Sequence, residues 1–90
     1  MKFITFIAIG DQPSLFQIAA VLNPRLEAER FLIWDRVDHL GGGESPQVWQ
    51  LSWIFPNAGP AQRLADLLTQ VAIEQKWEHM VACYAPEEDK

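Results

Sequence analysis

The chain has 90 residues, a formal charge of −5 from 12 acidic and 7 basic side chains, and an apolar fraction of 49% that includes four Trp. That length holds one domain with one core, and the composition is that of a folded chain, not a disordered one. Lys and Arg stand singly at Lys2, Arg25, Arg30, Arg36, Arg63 and Lys76, without a basic stripe, which disfavours direct nucleic-acid binding, where clustered cations must displace phosphate counterions.

Cys83 is the single cysteine. It permits no internal disulfide, so a reducing compartment, the cytoplasm, is the simplest setting. No run approaches the ~20 apolar residues of a membrane span, and a soluble chain without a membrane partner is expected. The opening MKFITFIAIG could pass for a signal peptide, with Lys2 as its basic region. Its apolar run is short for that role and rich in Ile and Phe, which favours a strand.

Lys2–Ile9 is apolar on both sides of its alternation, with Phe3, Ile7 and Ile9 against Ile4, Phe6 and Ala8. A strand buried on both faces is a central strand. Asp11 or Ser14 can cap the next helix, with Pro13 in its first turn. Leu15, Ile18, Ala19 and Leu22 then mark one helical face, which Asn23-Pro24 is expected to end.

Pro24–Leu40 has two readings. As a helix, Asn23 caps it, Leu26, Ile33, Val37 and Leu40 share a face, and Gly41 closes it. As a strand, Phe31-Leu32-Ile33-Trp34 pairs with Val48–Phe55 across the glycine-rich turn at 41–46. Arg30 interrupts the helical face, so a strand starting near Arg30 is preferred.

Val48–Phe55 alternates over its whole length, with Trp49, Leu51, Trp53 and Phe55 on one side and Val48, Gln50, Ser52 and Ile54 on the other. Its limits are set by Pro46 and by Pro56–Pro60. Pro60–Lys76 is a helix with the stripe Leu64, Leu67, Leu68 and Val71. Trp77–Tyr84 reads as a strand, with Trp77, His79, Val81 and Cys83 on one side and Glu78, Met80, Ala82 and Tyr84 on the other. The order strand, helix, strand, strand, helix, strand predicts an α+β chain of the ferredoxin-like βαββαβ kind: a four-stranded antiparallel sheet with two helices on one face. Residues 1–85 form that domain, and 86–90 are an acidic tail expected to fray.

The residues that could carry chemistry are few. His79 and Cys83 lie four apart, which on a strand separates them by about 13 Å, too far for one metal. His39 stands with Asp38 beside the glycine turn and lacks a partnering nucleophile. Gly41-Gly42-Gly43 lacks the Gly-Lys-Ser/Thr ending of a phosphate loop. No catalytic, metal or cofactor residue is therefore expected. The aromatic ladder Trp49, Trp53 and Phe55 could stack bases, lie under the helices, or close against a second copy of the sheet; the place under the helices is preferred.

Asp11-Gln12-Pro13-Ser14-Leu15-Phe16-Gln17-Ile18-Ala19, directly after an apolar strand, resembles the opening of an ACT-type regulatory domain. Where such domains have Gly after the Pro, this chain has Ser14. The resemblance implies the same element order, pairing into dimers, and an amino acid bound at the first strand-to-helix loop.

Together these features predict a small, non-enzymatic, protein-binding regulator or inhibitor. Asp35, Asp38, Glu44, Trp49 and Trp53 would face a protein partner with a basic patch, and a homodimer is a further possibility. In size and charge such a chain compares with phage-encoded inhibitors of host defence systems. The alternatives are an ACT-like ligand sensor and a cofactor-free enzyme of the dimeric α+β barrel kind, using His39 or His79 as a base.

Overall fold

The computed structural model describes residues 2–10, 13–42 and 45–86. Six elements follow one another: β1 (Phe3–Gly10), α1 (Leu15–Ala28), β2 (Arg36–Gly42), β3 (Ser45–Phe55), α2 (Ala58–Gln75) and β4 (His79–Tyr84). The strands form one antiparallel sheet in the order β2-β3-β1-β4. The chain is thus α+β, with two helices and four strands, and β1 lies inside the sheet as its apolar composition predicts.

Register decides which side chains meet. Phe3, Thr5, Ile7 and Ile9 stand opposite Phe55, Trp53, Leu51 and Trp49 of β3. Thr5, Ile7 and Ile9 stand opposite Cys83, Val81 and His79 of β4. This is the face that both helices cover. Ile18, Leu22 and Leu26 of α1 and Leu64, Leu67, Leu68, Val71 and Ala72 of α2 close over Ile7, Ile9, Leu51 and Trp53. Thr5 is the buried polar side chain there, and its Oγ1 donates to the carbonyl of Ala61 at 2.7 Å. That bond satisfies the hydroxyl and ties β1 to the first turns of α2.

Local chemistry explains the element limits, and three expectations need correction. Ser14 caps α1: its Oγ accepts from Gln17 N–H, and the Gln17 side chain accepts from Ser14 N–H. This is a capping box, so Pro13 lies before the cap and not in the first turn; Asp11 lies outside the described residues. Asn23-Pro24 does not end the helix, because α1 runs through Pro24 to Ala28. A proline inside a helix costs about 3 kcal/mol. Continuing for another turn buries Leu26, and a buried Leu returns about 1.5–3 kcal/mol. The carbonyl left without its N–H partner belongs to Ala20, an exposed residue, where water can serve it.

The third correction concerns the segment up to Leu40. The continuous helix is absent, and so is a strand from Arg30. Phe31–Trp34 form no regular element, and β2 begins only at Arg36. The connection is held by other bonds. Trp53 Nε1 donates to Leu32 O at 3.0 Å, and Asp35 N–H donates to Ser52 O at 2.8 Å. Phe31 and Trp34 turn inward, meeting Phe55 and Trp53 edge to face at 6.0 and 6.3 Å. Of the β-rich run only the two aromatics pack on the core; Leu32 and Ile33 between them are exposed. The pairing of β2 with β3 does follow the expected hairpin, with a register shift between Leu40 and Gly42 and Gly41 at φ 83°.

Candidate protein-binding surface

Of the five residues predicted to meet a partner, the four described ones, Asp35, Asp38, Trp49 and Trp53, are not gathered in one place. Asp35 Oδ2 accepts from Ile54 N–H at 2.8 Å, so its carboxylate completes the ladder of β3 where β2 has not yet begun. Asp38 pairs with Arg36, Nε to Oδ2 at 3.0 Å. Glu44 and the tail acids Glu87, Glu88 and Asp89 lie outside the described residues. Trp49 is half-buried, its indole stacked on the His39 ring at 4.0 Å and 13°. Trp53 is 2% exposed. The aromatic ladder therefore lies under the helices, and Trp53 offers no surface to a partner: its indole fills the core and its N–H is already used.

The groups considered for chemistry are likewise engaged locally or apart. His79 Nδ1 lies 2.8 Å from Trp77 O. Cys83 stands opposite Thr5 on the helix-facing side of β4. No group of three metal-binding side chains occurs among the described residues. The concavity between α1 and α2, lined by Glu29, Phe31, Arg63 and Asp66, holds about 240 Å³, under the ~300 Å³ where small-molecule pockets begin. Arg63 rests over the Phe31 ring in it, 5.2 Å from the centroid. The larger concavities are open troughs, two beside helix ends and one along the exposed flank of α2 at Asp66, Gln70 and Ile73.

The other face of the sheet has no helix on it. Its side chains form four rows across β2, β3, β1 and β4: Leu40, Val48, Gly10 and Glu78; Asp38, Gln50, Ala8 and Met80; Arg36, Ser52, Phe6 and Ala82; then Ile54, Ile4 and Tyr84. The β1–β4 half is apolar apart from Glu78. Met80, Ile54 and Tyr84 are 64, 50 and 46% exposed, and Phe6 meets Tyr84 edge to face at 6.2 Å. The charged side chains of these rows are the Arg36–Asp38 pair and Glu78 at a corner.

These residues were not singled out from the sequence, although the signal was there. The second apolar side of β1 reads as deep burial, while Met80, Ala82 and Tyr84 stand together on one side of the β4 alternation. In two layers only one side of a sheet is covered, so the second apolar side marks a surface.

Comparisons with protein-family models, with curated proteins and with solved structures find no match.

Proposed function

We propose that the protein is a small, non-enzymatic protein-binding module, a regulator or inhibitor, whose contact surface is the uncovered sheet face. The observation that carries this reading is the apolar patch of Ile4, Phe6, Met80, Ala82 and Tyr84. A continuous exposed apolar surface rimmed by polar groups is the mark of an interaction site, and aromatic and Met side chains supply most of the energy at such sites. The acidic groups take a secondary part, since Asp35 and Asp38 are held by Ile54 N–H and Arg36.

We read the architecture as ferredoxin-like. The element order and the sheet order β2-β3-β1-β4, with β1 and β3 inside, support that reading as two interleaved βαβ units. A protein-binding role weighs more than an ACT-like ligand site because Ser14, in place of the Gly of that loop, is committed to capping α1.

The test is affinity capture from the native host with wild type and with Met80→Glu as baits. Met80 is solvent-exposed, so the variant should fold. A protein held by wild type and released by Met80→Glu supports the reading. Equal retention by both baits counts against the sheet face.

A further inference from the structure

Resting on the binding-surface reading, we infer that the occupant of the uncovered face is a second copy of this chain, packed sheet against sheet. Size is the first ground. Four strands about 4.8 Å apart, and four rows about 6.7 Å apart, make a face of roughly 19 by 26 Å, or about 500 Å² in projection. Two such faces together remove on the order of 1,000 Å² before side-chain relief is added, which reaches the lower bound for a specific interface.

Charge is the second ground. The chain carries −5, so most contacts between two copies would set like charges together. The sheet face is the exception. Glu27, Glu29, Asp66 and Glu74 belong to the helix layer on the opposite side. Arg36 and Asp38 neutralise each other on the face, which among the described residues of its rows leaves Glu78 at a corner. A basic partner would gain little there, whereas an identical acidic copy meets its lowest repulsion.

Shape is the third ground. Large and small side chains alternate across the apolar half: Met80 beside Ala8, and Phe6 beside Ala82. A two-fold axis requires a self-complementary patch. Here the Phe6 ring of one copy can enter the hollow over Ala8 and Ala82 of the other, and the reverse contact follows by symmetry. Two sheets so related pack about 10 Å apart with their inner side chains interdigitated.

The experiment is sedimentation equilibrium on the full chain, wild type against Met80→Glu and Ile73→Glu. Ile73 is 63% exposed on α2, so its substitution makes the same charge change away from the sheet. Wild type is expected at twice the 10.3 kDa chain mass. Met80→Glu is expected to raise the dissociation constant about 30-fold or more, the size of a hot-spot loss, and Ile73→Glu to leave it within about 3-fold. Circular dichroism checks that each variant is folded; should Met80→Glu fail, Tyr84→Lys replaces it on the same face. A wild-type monomer up to the solubility limit overturns the inference, and so does a dimer that Met80→Glu leaves intact. If wild type is monomeric yet captures a host protein that Met80→Glu releases, self-association falls and the binding-surface reading stands.

Discussion

Arg30 and Lys76 hold the same station at the ends of the two helices, both in the left-handed region, at φ 63° and 60°. In α1 the N–H of Arg30 returns to Glu27 O and that of Phe31 to Leu26 O. In α2 the N–H of Lys76 returns to Ile73 O and that of Trp77 to Ala72 O. Each pair of bonds is a Schellman closure, and each left-handed residue is followed by an aromatic that packs on the core. The two halves of the chain thus share a basic–aromatic dipeptide as a helix stop.

A left-handed conformation costs a non-glycine residue about 1–2 kcal/mol, part of which glycine forfeits through its freer unfolded chain. Arg30→Gly and Lys76→Gly should therefore each stabilise the fold by about 0.5–1 kcal/mol. Urea unfolding midpoints should rise at an unchanged slope. A fall in both midpoints would mean that the side chains, not the backbone turn, hold these helix ends.

Trp53 joins β3 to the connection before β2. Trp53→Ala should cost about 3–5 kcal/mol, a large share of the 5–15 kcal/mol typical of a domain. Trp53→Phe keeps most of the packing but loses the donor to Leu32 O, at a smaller cost of about 1–2 kcal/mol. Denaturant unfolding of both variants checks the ranking. A Trp53→Ala chain of wild-type stability would remove this side chain from the core.

Much of the fold was legible because the alternation of β1, β3 and β4 and the stripe of α2 are strong periodic signals. What was not legible had competing local causes. Pro24 favours a helix end, and only the tertiary burial of Leu26 overrides it. Phe31–Trp34 has strand composition because its aromatics must reach the core, and nothing local separates that demand from a ladder. The helix stops lack glycine, so Arg30 and Lys76 carried no visible sign. The candidate surface was half legible: the apolar side of β1 was seen, but its exposure depends on where the helices pack.

Asp35 serves the edge of β3, which contrasts with a role in meeting a basic partner. Asp35→Ala should cost about 0.5–1.5 kcal/mol, and Asp35→Asn, which keeps a carbonyl acceptor, less. Hydrogen exchange at the Ile54 amide should quicken in Asp35→Ala and much less in Asp35→Asn. If neither variant alters that amide, the carboxylate is not its partner.

At Pro24, too, chain chemistry and fold oppose each other. The ring removes the N–H that would reach the Ala20 carbonyl and crowds the turn before it. Alanine restores the bond and is the best helix former, worth up to about 3 kcal/mol over proline in a helix interior. Against this, proline restricts the unfolded chain, and losing that restriction costs about 0.4–1 kcal/mol. Ala20 is exposed, so its carbonyl already has water and the new bond adds only its net value. Pro24→Ala should therefore stabilise the fold by about 1–2 kcal/mol, with α1 still ending at Ala28 because Arg30 and Phe31 close it. Thermal and urea unfolding measure the gain, and backbone chemical shifts report the helix limits. A destabilised variant would mean that α1 needs the bend proline imposes to bring Leu26 onto the core.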